Sequence, residues 1–293
     1  MMNRVFCVLC ARNEEQRIDK CLSSLLLQSH PPEKIVVVND GSTDLTKAVA
    51  GSFPHVTVLD LPYHSDSHAG TFKMAMKFNA GFDEINNLLF DDDFLLIVGS
   101  DDEFPRDYIE QVITRMRIGR TSCHGEVERV VVASGQVEGE HTEVTAPRGG
   151  GRIIRGWFWK RYLNGHYPEG WAWEDYINYR AMKEGFLTRC YNEIKFRRLR
   201  SEKRTWKKAI GDGKSMYALG YHWKHALGRS VRMFPHSPKL ALAQFVGWSL
   251  HRDVTRLDCA DWLNEVQKKS FRKNVWNVLR GKPRKTYIMS DLK

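Results

Sequence analysis

Lys34-Ile35-Val36-Val37-Val38-Asn39-Asp40-Gly41-Ser42-Thr43-Asp44 opens with a continuous β-branched run and ends in a polar turn. Apolar residues at consecutive rather than alternate positions mark a strand covered on both faces. The run predicts a strand over 34–39, with Thr43 placed to cap a helix behind it. Upstream, Val5 to Leu9 forms a second apolar run that breaks at Ala11-Arg12-Asn13-Glu14-Glu15. Ile18, Cys21, Leu22, Leu25 and Leu26 then follow at helical spacing. Downstream, Val56 to Leu61 supplies a third strand, Thr71 to Gly81 a helix with Lys73 and Lys77 on one face, and Phe94 to Val98 another strand. Strands alternating with helices predict an α/β fold around a mostly parallel sheet with right-handed crossovers.

The strand over 94–98 runs into Val98-Gly99-Ser100-Asp101-Asp102-Glu103-Phe104-Pro105. Carboxylates at a strand's C-terminal end stand where open α/β sheets bind ligands, and their hard oxygens suit Mg²⁺ or Mn²⁺. The same residues also suit a helix N-terminus, because acids favour the positive end of the helix dipole and Pro105 favours a first turn. Asp91-Asp92-Asp93 precedes the strand, and the expectation there is a solvated turn at the opposite end of the sheet.

With 293 residues, 42% hydrophobic and 27% charged, the chain has the composition of a globular protein with a sizeable core. Met1 to Leu9 reads as a strand rather than a signal peptide. Leu240 to Leu250 is too short an apolar run to cross a bilayer about 30 Å thick. These features predict a cytoplasmic protein, free or at a membrane surface. The six cysteines are scattered, and Cys7 and Cys10, despite their CxxC spacing, read as buried free thiols.

Charge is unevenly placed. Residues 1–150 hold 14 Lys+Arg and 23 Asp+Glu, net −9, whereas 151–293 hold 31 and 12, net +19, together with all nine tryptophans. An acidic half able to hold metal is thus joined to a basic half suited to phosphates or an anionic surface.

In that second half, a β-branched strand ends at Val137, Gly149-Gly150-Gly151 makes a turn, and Phe158 to Leu163 reads as a helix. His166 to Tyr176 carries Trp171, Trp173, Glu174 and Asp175, and by position alone the two acids suit a helix's first turn. Trp157, Trp159, Trp171 and Trp173 suit core packing or a flat platform for sugar faces. Arg189 to Leu199 predicts a last strand ending in Arg197-Arg198-Leu199-Arg200. Helices are expected over Glu202 to Ala209, Lys214 to Phe234, Pro238 to His251 and Asp258 to Leu279, with Gly211-Asp212-Gly213 separating the first two.

Four of these motifs, in order, resemble family 2 glycosyltransferases of the GT-A fold: Ala11-Arg12-Asn13-Glu14-Glu15, Val38 to Asp44, Asn79-Ala80-Gly81, and Ser100-Asp101-Asp102 ahead of Pro105. The resemblance covers about the first 110 residues and implies a Rossmann-like mixed, mostly parallel sheet flanked by helices, with a helical C-terminal extension. It implies a catalytic domain over 1–200, divided into a nucleotide-sugar part at 1–110 and an acceptor part at 111–200. A basic, Trp-rich extension at 201–281 and a flexible tail at 282–293 follow.

The resemblance also implies roles. Ala11, Asn13 and Glu14 line the nucleotide pocket, Asp40 contacts base or ribose, and Ser100 and Asp102 lie at the donor. Asp101 binds Mg²⁺ or Mn²⁺ at the diphosphate of a UDP-, GDP- or dTDP-sugar. Gly99 stands where the family commonly has the first acid of Asp-X-Asp, so ribose contact there is lost or passes to Asp102 or Glu103. The family's Glu-Asp pair ahead of a helix with Arg and a closing Gly matches Glu174-Asp175, Arg180 and Gly185. It implies Asp175 as general base in an inverting displacement, Glu174 as its orienting neighbour, and Trp171 and Trp173 at a glycan or lipid-linked acceptor. Arg198 stands near a position often held by His and is expected to face the departing phosphate. Gly213 to His222 resembles the tail of family members that extend glycans, a tail able to rest on a membrane.

Three other readings differ in chemistry. A sugar nucleotidyltransferase needs a Gly-rich loop with Arg and Lys after strand one, which Ala11 to Glu15 is not. A nucleic-acid-binding protein lacks support from zinc-finger or RNA-recognition motifs. A catalytically inactive relative is suggested by Gly99 alone.

Overall fold

The computed structural model describes residues 3–66, 68, 71–118, 120–121, 127–140, 142–200, 205–250 and 254–279. The expected tail at 282–293 lies outside them, as do residues 202–204 of the helix expected from Glu202. The chain divides into two compact units, one of 1–67, 75–167 and 186–201, the other of 68–74, 168–185 and 202–293.

The first unit is built on an eight-stranded sheet. Four parallel strands, β1 (Val5–Ala11), β2 (Lys34–Asp40), β3 (Val56–Leu61) and β4 (Phe94–Gly99), lie in the order β3-β2-β1-β4. The sheet continues past β4 through β9 (Arg152–Arg155), β8 (Val130–Val137), β10 (Leu187–Arg198) and the two-residue β5 (Asp102–Glu103). β9 runs antiparallel to both its neighbours, β10 parallel to β8, and β5 antiparallel to β10, so the sheet is mixed. Arg120–Thr121 (β6) and Val127–Glu128 (β7) form a separate short pair. β1, β2, β4 and β8 are buried almost throughout, as strands covered on both faces must be.

α1 (Ile18–Leu26) and α4 (Tyr108–Ile118) contribute Ile18, Leu22, Leu25, Val112 and Ile113 to the core under β1, β2 and β4. α3 (Lys73–Asn86) lies close enough to the sheet that only glycine fits at 81. A Cβ there would fall 2.6 Å from Val8 Cγ1 and 2.7 Å from Val38 Cγ2. Asn79, in the same motif, clasps Tyr167: its Nδ2 donates to the Tyr167 carbonyl at 3.0 Å, and the Tyr167 N–H donates to Asn79 Oδ1 at 2.8 Å.

Two local expectations are corrected. Thr43 does not cap the second helix, which runs as α2 (Thr46–Gly51). Asp44 does the local bonding, its Oδ1 accepting the Thr46 N–H at 3.0 Å. Of the three aspartates before β4, only Asp91 and Asp92 are exposed. Asp93 is buried and held by Arg4 at 2.7 Å and by the Phe90 N–H at 2.8 Å. An arginine at the start of β1 thus neutralises it.

The second unit is helical, with α6 (Trp173–Lys183), α7 (Trp206–Ala218), α8 (Trp223–Met233), α9 (Pro238–Leu250) and α10 (Ala260–Leu279). α5 (Gly156–Leu163) belongs to the first unit, where its Trp159 is fully buried. Gly211-Asp212-Gly213 does not separate helices, because α7 runs through it; the break falls at Gly220, whose φ is +76°. The α7 glycine serves packing instead. A Cβ on Gly213 would collide with the Gln244 carbonyl of α9 and lie 2.6 Å from the Trp248 nitrogen. Gly213→Ala is therefore expected to destabilise this unit by about 1–3 kcal/mol, although alanine is the better helix former. Gly228→Ala in α8, where nothing lies within 4 Å of the added carbon, is expected to stabilise by about 0.5–1 kcal/mol. Urea unfolding of the two variants reads both signs.

Candidate active site

Because β1, β2 and β4 are parallel neighbours, with Ala11 opposite Asn39 and Cys10 opposite Gly99, their C-terminal ends share one sheet edge. Side chains bind the loops after β1 and β2 to each other. The Asn13 N–H donates to Ser42 Oγ at 3.1 Å, and the Thr43 N–H donates to Asn13 Oδ1 at 2.9 Å. The Glu14 N–H donates to Thr46 Oγ1 at 2.7 Å. Asn13 makes this clasp with φ +54°, a left-handed conformation that asparagine tolerates. Ala11 and Glu14 are buried beside it.

Asp40 ends β2 in a charged cluster. Its carboxylate contacts Lys77 Nζ and His64 Nε2, the latter at 2.8 Å, with Arg12 Nη1 4.0 Å away. Burial pulls the Lys77 pKa down, and Asp40 offsets this only in part. The buried acid is thereby held by three side chains able to carry positive charge. Sequence spacing placed Lys77 on a helix face and His64 in a polar loop without joining them to Asp40. Only the crossover that lays α3 beside β2 does so.

The acids of the run have different partners. Asp102 is fully buried; its Oδ1 accepts from Arg198 Nε at 3.0 Å and its Oδ2 from the Gly99 N–H at 3.1 Å. Burial pushes its pKa up to about 6, against the pull of Arg198. The β5–β10 pairing sets Arg198 opposite Asp102, so its guanidinium lies against that carboxylate, with Glu140 Oε1 3.9 Å from Nη1. A Cβ on Gly99 would lie 2.7 Å from Asp102 Oδ2 and 3.1 Å from Asp101 Oδ1. An acid at 99 would therefore crowd both carboxylates. Gly150 gives the same room from the other side, since a Cβ there would collide with Asp102 and stand 3.0 Å from Arg198. Removing the cation strands a buried charge. Arg198→Met is accordingly expected to cost about 3–5 kcal/mol of stability in urea unfolding, and Arg198→Lys less.

Asp101 meets a different cation. The Leu199 N–H donates to its carbonyl at 2.8 Å, which turns the chain after β10 so that Arg200 lies over the acids. Arg200 Nη1 stands 2.8 Å from Glu14 Oε1, and its Nε 3.3 Å from Asp101 Oδ2. Arg200, not Arg198, is thus the cation at Asp101. The sequence held both in one run and gave no sign of which would point there. Ser100 is buried next to Asp101. Asp101 fits a hard divalent cation: it offers carboxylate oxygen, and its neighbour Arg200 is half-exposed on a long side chain that can turn into solvent.

In the second unit, Glu174 and Asp175 occupy the first turn of α6, with Asp175 exposed, behind Ala172 at φ +66°. Tyr179 and Tyr221 share a 2.6 Å hydroxyl contact. Desolvation draws the Arg229 pKa down, and Tyr221, Tyr179, Asp175 and Asp212 outweigh it and raise it. Asp175 therefore sits in the field of a cation that sequence reasoning missed, because Arg229 lies on α8. The Arg180 of the Glu-Asp motif holds Glu184 at 3.2 Å and also pairs with Asp258. Trp171 is half-buried between Phe72, with ring centroids 5.5 Å apart, and Lys214, 5.0 Å from its ring. Trp173 Nε1 donates to the Thr71 carbonyl at 3.3 Å. Asp40, Asp101, Asp102, Arg198, Ala11, Asn13, Glu14 and Ser100 thus belong to the first unit, and Glu174, Asp175, Trp171 and Trp173 to the second.

Comparison with known proteins gives a consistent answer. The family described as "Glycosyl transferase family 2" matches residues 6–160. An uncharacterized glycosyltransferase of Haemophilus influenzae is 32% identical over 112 residues, 36% of this chain and 31% of that protein. The chain thus spans under a third of that relative's length. Among solved structures, TarS 1–349 of S. aureus in complex with UDP-GlcNAc is 13% identical, with TM-score 0.53, covering 98% of this chain and 95% of that one. The mannosyltransferase PcManGT of Pyrobaculum calidifontis, in complex with GDP-Man and Mn²⁺, is 13% identical, with TM-score 0.53, covering 96% and 85%. At such identities the likeness establishes the GT-A-like fold.

Proposed function

This chain belongs to glycosyl transferase family 2, and on that premise we propose that it transfers a sugar, with inversion, from a nucleotide-sugar donor to a hydroxyl of a glycan or lipid-linked glycan. The observation that supports this most is the shared sheet edge, which gathers Asp40, Glu14 and Asp101 at the C-terminal ends of three parallel strands. That is where such sheets bind nucleotides.

In this reading Ala11, Asn13 and Glu14 border the nucleoside, and Asp40, fixed by His64 and Lys77, accepts from base or ribose. Asp101 would hold Mg²⁺ or Mn²⁺, which when bound offsets the charge of the departing diphosphate. Arg200 gives up Asp101 as the donor enters and remains at hand for phosphate oxygens. Asp102 and Arg198 brace the turn that presents Asp101. Asp175 takes the acceptor's proton, Glu174 orients it, and Trp171 and Trp173 offer flat faces to the acceptor sugar. The neighbours solved with UDP-GlcNAc and GDP-Man leave UDP, GDP and dTDP donors all to be tried.

A thermal-shift panel of nucleoside diphosphates and nucleotide sugars, with and without Mn²⁺, tests the proposal. The expected result is a metal-dependent rise in Tm selective for one nucleotide. A panel in which no nucleotide shifts the protein overturns it.

A further inference from the structure

Among the described residues, α8 leaves an apolar stripe uncovered. Trp223, Leu227, Val231 and Phe234 recur at i, i+4, i+8 and i+11, on one side of the helix and its C-cap. They are 52%, 39%, 59% and 58% exposed. On neighbouring α9, Leu242 and Leu250 are exposed as well. Charge on these helices is one-sided. Residues 206–250 hold seven Lys+Arg against a single acid, Asp212; of the α8 cations Arg229 faces Asp175 and Asp212, which leaves Lys224 and Arg232 for the surface. Lys224 Nζ lies 5.4 Å from the Trp223 ring and 4.3 Å from that of Phe271, at the border of the stripe. Arg232 and Lys239 are exposed.

We propose that this face of α8 docks in the plane of an anionic lipid surface. Charge selects this occupant. A second copy meeting this face with its own would present the same cationic helices, and a neutral glycan would leave the cations unmatched. A bilayer bearing anionic headgroups offers both an apolar layer for Trp223, Leu227, Val231 and Phe234 and a negative potential for the lysines and arginines. Among the described residues no helix is long and apolar enough to cross a membrane, so the contact lies in the interface rather than through it. Residues 280–293, with five Lys+Arg and Asp291 as the one acid, add attraction of the same sign.

The test is co-sedimentation of the full chain with vesicles of phosphatidylcholine alone and of phosphatidylcholine mixed with phosphatidylglycerol, together with its mass in solution. Donor is absent, so the outcome is independent of the transferase reading. The expected result is binding to the mixed vesicles that weakens with salt and falls on the order of ten-fold in the double variant Val231→Glu, Phe234→Glu. Both side chains face solvent, so the variant should keep its unfolding temperature and any nucleotide-dependent shift. Absence of binding to mixed vesicles by the unaltered chain overturns the proposal, as does equal binding by the double variant. A double variant that changes only the solution mass from dimer to monomer assigns the face to self-association and overturns it too.

Discussion

Asp175→Asn is expected to abolish sugar transfer while leaving donor binding in place. The amide keeps the size and hydrogen-bonding reach of the carboxylate but cannot take up the acceptor's proton. Loss of a general base typically costs about 10²–10⁴-fold in rate. Asp175 is exposed on the first turn of α6, and asparagine keeps its shape beside Arg229, so the unfolding temperature of the variant serves as the control for folding. Radiolabelled sugar transfer, read beside the nucleotide-induced thermal shift, separates the two effects. Retained turnover would move the base to another residue, and loss of the shift as well would make the defect one of folding or binding.

Asp101→Ala is expected to remove the Mn²⁺-dependent part of the donor shift. It should also lower turnover by about two orders of magnitude or more, since charge stabilisation at a diphosphate is worth several kcal/mol. Arg200 keeps Glu14 as a partner at 2.8 Å, so the variant does not strand a cation. Asp102 provides the contrast. It is buried against Arg198, and Asp102→Ala should appear first as lost stability in urea, with Mn²⁺ dependence retained in the folded fraction. A metal-dependent shift that survives Asp101→Ala, or disappears only with Asp102→Ala, would exchange the two roles.

β1 to β4 and β10 were legible to within two residues because their signal is local, whereas β9 and the two-residue strands β5, β6 and β7 were not read from the sequence. Ile35 to Val38 is apolar and buried at every position, and Val56–Leu61 begins and ends where its apolar run does. The helical half was less legible at its breaks. Gly211-Asp212-Gly213 has the composition of a loop, but the missing Cβ of Gly213, like that of Gly247 opposite Ile210, serves the crossing of α7 and α9, and no property of α7 alone shows that. Asp93 has the same lesson in charge: beside Asp91 and Asp92 it reads as solvated, and it is buried because Arg4 reaches it from the start of β1.

The sequence by itself determined the alternating strands and helices, the acids at the strand ends and the family resemblance. Each depends on residue type and on spacing over a few positions. Only the tertiary structure decided which cation meets which acid: Lys77 and His64 at Asp40, Arg198 at Asp102, and Arg200 at Glu14 and Asp101. The physical reason is that sheet order and crossovers bring together residues far apart in the chain. Coulomb energy depends on those distances in space, and spacing along the sequence does not contain them.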